Sequence, residues 1–348
     1  MNRSRISKLL VLAAFLGVAV FMSVPVLGQL ADKTRTPNVA NEGIAKSLAD
    51  QIGAGRGSIM TPNSSLYIIN RDPFRAIRRG RQIFQRKFTR VQGQGPLELD
   101  GTGDINTNLA IGAGLSDSCA GCHGRPRGAA GFGGDVVTRP DSRDAPHLFG
   151  LGIKEMLADE ITDDLRDIRD AAISEARAGR RTIIRSLNSK GINFGFIRAF
   201  SNGTVDTSNV EGVNADLRVR PFFAHGGTIS IREFAVGAFD AEMGLQAVDP
   251  DLVRARAGNR VVTPSGMVLD GSKDDIEVPA NGDDPNGDND GDGVTNEIPT
   301  SIVDFMEFYL LNYFKPATRN NGDDEIGPGR SLFIQIGCAS CHIPDLRI

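Results

Sequence analysis

The chain has no tryptophan, and only three tyrosines, four histidines and four cysteines in 348 residues. No indole can serve any site, and imidazole ligands are limited to His123, His147, His225 and His342. Positive charge is not in excess. Lys and Arg total 39 against 43 Asp and Glu, a net charge of −4 with a pI near 5.7, which argues against nucleic acid as a partner. The apolar run near the N-terminus, Leu9 to about Met22, is shorter than a membrane span. No cysteine follows that run, which excludes a bacterial lipoprotein anchor.

What the chain does have is a repeated pentapeptide that uses every cysteine. Cys119-Ala120-Gly121-Cys122-His123 returns as Cys338-Ala339-Ser340-Cys341-His342. C-x-x-C-H is the attachment pattern for c-type haem. Two thiols three apart fall on one side of a helical turn and form thioethers with the haem vinyls, and the next histidine lies under the ring. A zinc ribbon would bring two such pairs within roughly 15–20 residues, whereas these are more than two hundred apart. A thioredoxin-type pair needs a βαβ setting, and a structural disulfide needs no histidine after each pair. The expectation is two covalent haems, with His123 and His342 as iron ligands and Cys119, Cys122, Cys338 and Cys341 as attachment points.

The N-terminus sets the expected compartment. Arg3, Arg5 and Lys8, the apolar run, and small residues before Gln29 occur in signal-peptide order, with an uncleaved anchor as the alternative. Residues 1–28 are read as a signal peptide and the mature protein as periplasmic, where c-type attachment takes place, with no membrane association after cleavage.

Residues 29–72 are polar with little periodicity and read as an N-terminal arm. Apolar spacing predicts helices over 73–88, 153–178 and 229–243, and from about 300 to Pro316, with strands and turns over 180–220. The apolar stripe of the 153–178 helix is Met156, Leu157, Ile161, Leu165 and Ile168. Ser301 and Asp304 are expected to cap the helix after Pro299. Gly80-Arg81-Gln82-Ile83-Phe84 has a counterpart in Gly329-Arg330-Ser331-Leu332-Phe333, each on the N-terminal side of a C-x-x-C-H motif, so the opening helix of a haem domain is used twice. The resulting expectation is a mainly α chain. A first cytochrome c-like haem domain with long loops and some short strands covers 73–316, including an Asp-rich loop at 281–298. The incomplete start of a second such domain covers 317–348; either its haem is open, or another chain covers it, or the sequence is a truncated piece of a longer protein, which is the favoured reading.

In the Asp-rich loop, Asp288, Asp290 and Asp292 alternate before Gly293, as in the opening of a calcium-binding EF-hand loop, with Glu297 earlier than the usual bidentate glutamate. Calcium binding and a solvated acidic linker are the two readings of that loop.

Several stretches resemble the bacterial di-haem cytochrome c peroxidase superfamily, most closely its di-haem oxidoreductase branch. They are 118–124 (SCAGCHG), 144–152 (DAPHLFGLG), 216–222 (DLRVRPF), 234–246, 290–297 (DGDGVTNE) and 337–342 (GCASCH). The resemblance implies a periplasmic di-haem oxidoreductase that passes electrons between its haems to reduce hydrogen peroxide or oxidise a partner. It further implies a small redox partner such as a cytochrome or cupredoxin. It places Met243 as the leading sixth ligand of the first haem, against a gap-filling methionine, with His147 and His225 as rivals. Glu155 becomes a candidate catalytic acid, against an ordinary exposed glutamate. Arg143, Arg218 and Arg220 become candidates to pair with haem propionates. Relatives commonly place a tryptophan between the haems, and here only Tyr309 and Tyr313 stand near the junction. The competing function is an electron-transfer di-haem cytochrome without catalysis, or a truncated fragment.

Overall fold

The computed structural model describes residues 47–95, 116–126, 128–133, 145–223, 226–278, 284, 286–288, 293–313 and 326–348. The expected signal peptide, His225, Arg143, Asp290 and Asp292 lie outside them.

Where a polar arm was expected, residues 47–71 form two helices, α1 (Leu48–Ile52) and α2 (Ser65–Arg71). Ser47 and Ser64 cap them by accepting the Asp50 and Tyr67 N–H groups. Their polarity hides burial: Gln51, Ser64 and Ser65 are enclosed along with Ile68 and Ile69. Asp72 alone separates α2 from α3 (Pro73–Phe84), closing the first helix through its N–H to Ile68 and opening the second through its carboxylate to Arg75 N. Pro73 sits in the first turn of α3, where a missing N–H costs nothing.

After the short α4 (Cys119–His123), α5 (Leu151–Gly179) runs for 29 residues. It is followed by β1 (Ile183–Ser189), β2 (Ile192–Ala199) and β3 (Val205–Val210), an antiparallel sheet in chain order. Ser189 pairs with Ile192 across a two-residue turn, Lys190-Gly191, with both residues at positive φ as the right-handed strand twist requires. Next come α6 (Ile231–Met243), α7 (Pro250–Arg256), the β4 (Arg260–Val262) and β5 (Val268–Asp270) hairpin, α8 (Thr300–Asn312) and α9 (Ile326–Gln335).

This corrects the expectation of a mainly α, cytochrome c-like chain. The described residues are mixed α/β, and the sheet is more than decoration on a helical domain. Leu165, Ala172 and Ala176 of α5 pack with Leu187, Ile197 and Ala199 of the strands into a core separate from the larger one. Ile183 and Leu187 of β1 with Phe194, Ile197 and Ala199 of β2 turn inward to make that second core, their spacing broken by irregularities in both strand pairings. Met156 also departs from its expected place in the α5 stripe: it is exposed, while Ile161 and Leu165 are buried.

The larger core gathers α2, α3, α6, α7 and α8. Helix α8 is apolar on nearly every side and buried from Ile302 to Leu311 except at half-buried Phe308. It crosses α3 at Gly80, where an added Cβ would lie 2.3 Å from Tyr309 Cβ and 2.4 Å from the Phe305 carbonyl. Gly80→Ala is expected to force the two helices apart and destabilise the fold by about 1–3 kcal/mol, the usual range for overpacking. Urea unfolding checks this, and an unchanged midpoint would show that the crossing adjusts freely.

Candidate functional site

The first C-x-x-C-H motif is one helical turn, α4, whose N-cap Ser118 accepts the Gly121 N–H at 3.1 Å. Cys122 is buried and Cys119 half-buried against the main core. Burial, reinforced by the neighbouring Cys122, pushes the Cys119 thiol up to about 12. A redox dithiol needs a lowered thiol pKa; this motif has the opposite.

His123 is held by its other nitrogen. Its Nδ1 lies 2.7 Å from the Pro146 carbonyl, so Nδ1 carries the proton and Nε2 keeps its lone pair. The same strap holds the motif's main chain: Gly131 N–H donates to the His123 carbonyl, Gly133 to Ala145 and Leu148 to Ala130. Burial lowers the His123 pKa, with hydrogen bonds to Pro146 and Gly131 opposing it, which favours the neutral imidazole that ligation needs.

Met243 ends α6 and is buried. Ser116 N–H donates to the Glu242 carbonyl at 3.3 Å, so the approach to the first motif runs beside the last turn of α6. Phe88, whose N–H donates to Asp117 at 2.8 Å, sets its ring edge-on to Phe239 in that same helix. Tyr309 also belongs to this neighbourhood. Its buried hydroxyl has no hydrogen-bond partner among the described residues, and burial raises its pKa, with Tyr313 and Cys119 adding to the effect.

Local sequence signals did not reveal what fixes α6 against α8. Arg232 is fully buried and binds Asp249 through two nitrogens, at 2.9 and 2.6 Å. It also binds Asp304 at 2.9 Å and Glu307 at 2.8 Å. Arg56 joins from the α1–α2 loop, bonding Asp251 and approaching Asp304 at 3.8 Å. Burial raises the Glu307 and Asp304 carboxyls despite Arg232. At Asp249, burial is outweighed only by the Arg232 charge together with hydrogen bonds from Arg232 and the Leu252 N–H, and the pKa falls. Asp304 therefore serves the core rather than capping α8, which has Pro299 at its N-cap and no side-chain cap. The available signal was two acids three residues apart, Asp304 and Glu307, inside an otherwise apolar helix.

The other candidates are occupied. Glu155 is buried rather than exposed, and its carboxylate accepts the Ile231 N–H at 2.8 Å, capping α6 from α5. Burial pushes it well above the usual carboxylate range. Arg218 pairs with Asp159 at 2.7 Å, and Arg220 with Asp216 at 2.8 Å. His147 is exposed, stacks on Phe149 and accepts its N–H at Nδ1. In the Asp-rich loop, Asp288 accepts the Gly293 N–H at 3.1 Å, while Glu297 accepts the Gln246 N–H at 2.6 Å. Among the described residues, no group of three His, Cys, Asp or Glu side chains is arranged to hold a metal ion.

Beside Glu155, Ser230 and Glu233 form a reciprocal capping box at the start of α6, and Glu233 also accepts the Glu277 N–H at 2.8 Å. Burial raises the Glu233 carboxyl from 4.5 to about 7 against these hydrogen bonds. The folded state therefore holds its proton more tightly than the unfolded state does. Stability from this group is full below about 4.5 and is lost as pH rises through about 7. Glu233→Gln is expected to flatten the fall in denaturation midpoint between these limits; an equally steep fall in the variant would contradict the assignment.

The second motif repeats the turn. His342 N–H donates to the Cys338 carbonyl at 2.8 Å, Gly337 enters at positive φ, and the His342 ring meets Phe333 of α9 edge-on. Cys338 is half-buried, while Cys341 and His342 are exposed. No helix among the described residues is long and apolar enough to cross a membrane. No family model, curated protein or solved structure matches the chain.

Proposed function

We propose that the protein is a periplasmic di-haem c-type oxidoreductase, with haems carried at Cys119-Cys122-His123 and Cys338-Cys341-His342. One observation carries this reading: His123 gives its Nδ1 proton to the Pro146 carbonyl at 2.7 Å and keeps Nε2 as a ligand, directly after two cysteines in the same helical turn. The neighbouring donor set fits the group. Cys122 is buried and half-buried Cys119 holds its thiol proton, a pair suited to thioether formation, and Met243 supplies a buried thioether on the helix that adjoins the motif.

When bound, haem supplies a one-electron iron couple. The protein's part at the first motif is to hold the His123 tautomer, exclude water with Phe88, Phe239 and Met243, and fix α6 through Arg232. This enclosure suits electron transfer. The second motif presents His342 and Cys341 at the surface, and peroxide reduction is assigned there because the first site is closed and Glu155 is engaged in capping α6. A small cytochrome or cupredoxin is the proposed electron donor.

The test is spectroscopic. Protein produced with a c-type maturation system is expected to show one low-spin haem, with a methionine-to-iron charge-transfer band lost in Met243→Ala. It should also show one high-spin ferric signal that shifts on adding hydrogen peroxide and is absent in His342→Ala. Two low-spin haems indifferent to peroxide would leave an electron carrier without catalysis.

A further inference from the structure

A row of rings leads from the first motif to the surface. Tyr309, buried, has its ring centroid 5.1 Å from that of Tyr313; Tyr313 is 5.6 Å from Phe149, and Phe149 is 5.4 Å from His147. Exposure rises along the row, from a buried tyrosine through two half-buried rings to an exposed imidazole. The main chain fixes the crossing between elements, since Gly150 N–H donates to the Tyr313 carbonyl at 2.9 Å. At the outer end His147 lies nearly parallel to Phe149, with 18° between planes, and uses Nδ1 to accept the Phe149 N–H. Its Nε2 is left for solvent. At the inner end, Cys119 packs on the core that contains Tyr309 and lies close enough to perturb its phenol.

We propose that these rings form the path by which an electron passes between the surface at His147 and the iron held at the first motif. The inference rests on the di-haem reading above. A small one-electron redox protein docked at this face gives up one electron and is oxidised, and ferric iron becomes ferrous. The rings shorten the through-space gaps that the electron must tunnel across and are not themselves oxidised, so no proton leaves a phenol. That agrees with the buried Tyr309 hydroxyl, which has no acceptor among the described residues. Exposed Phe132, Ile153 and Met156 lie on the segments that flank the outer end and offer an apolar rim for a transient partner.

The test uses the haem-loaded protein with a bis(bipyridyl)ruthenium complex coordinated at His147. The background is His225→Gln, so that the label has a single site. Flash reduction of the label followed by iron absorbance gives the transfer rate. Phe149→Leu and Tyr313→Leu are expected to slow transfer several-fold with haem absorption and melting temperature retained, while Tyr309→Phe, which keeps the ring, leaves the rate unchanged. If Tyr313→Leu does not fold, the half-buried loop substitution Phe149→Leu carries the test. Unchanged rates in the leucine variants would overturn the path while leaving the di-haem reading intact. Absence of haem at the first motif, seen in the absorption spectrum before labelling, would overturn the reading beneath it and the path together.

Discussion

Replacing Arg232 by leucine is expected to destabilise the protein by about 3–5 kcal/mol, the range for removing one partner of a buried ion pair. Arg232 is the centre of a network in which Asp249, Asp304 and Glu307 are all within 2.9 Å of its nitrogens and all buried. Taking out the guanidinium leaves three carboxylates in a low-dielectric core. The penalty comes from those stranded acids more than from lost attraction. Adding Asp304→Asn and Glu307→Gln to Arg232→Leu should therefore recover part of the loss, and a loss from Arg232→Leu below about 1 kcal/mol would place the network among weakly coupled pairs. The network also reaches the site. It clamps α6, which ends in Met243, to α8, which carries Tyr309. Partial unfolding of Arg232→Leu should accordingly disturb the first motif before the α5 sheet, whose core is separate. Hydrogen exchange along 116–123 and 183–199 measures the difference.

The second large effect is chemical. Cys119→Ala with Cys122→Ala is expected to remove one of two covalent haems, halving the haem absorbance per chain while the second remains. The corresponding change at Cys338 and Cys341 should remove the other. Losses from the first motif should also lower thermal stability, because Cys122 is buried and Cys119 borders the main core. Losses from the second should not, since Cys341 and His342 are exposed. Equal thermal effects at the two motifs would contradict the unequal enclosure described above.

Much of the helical layout was legible because apolar spacing is a local property. Ile83 and Phe84 mark α3, Leu165 and Ile168 mark α5, and Phe239 with Ala235 marks α6, and each helix lies within a few residues of its expected range. The fold class was not legible in the same way. Strands over 183–210 were readable, but whether they decorate a helical domain or build a core of their own depends on pairing with Leu165, Ala172 and Ala176 on α5. Helices α1 and α2 were hidden because their buried positions carry Gln51, Ser64 and Ser65, polar groups whose partners, Arg86, the Ser58 carbonyl and Asp304, come into place only on folding.

The site divided along the same line. Cysteine spacing marks the two C-x-x-C-H turns, because residues three apart on a helix share a face. The carbonyl that orients His123 comes from Pro146, 23 residues on, farther than a local window reaches. Glu155 looked like a surface acid on a charged helix and is instead the cap of α6, since its partner, the Ile231 N–H, lies 76 residues away. Arg232 draws on acids 17 to 75 residues distant, a separation that no local window registers.

The measurement that bears most directly on the central claim is the intact mass of the protein secreted from a host with c-type haem maturation, taken together with its pyridine haemochrome spectrum. Two haems covalently retained under denaturing conditions, with the blue-shifted absorbance of saturated side chains on both, is the expected result. A chain at its bare polypeptide mass, with four free thiols and no bound iron porphyrin, would contradict the account.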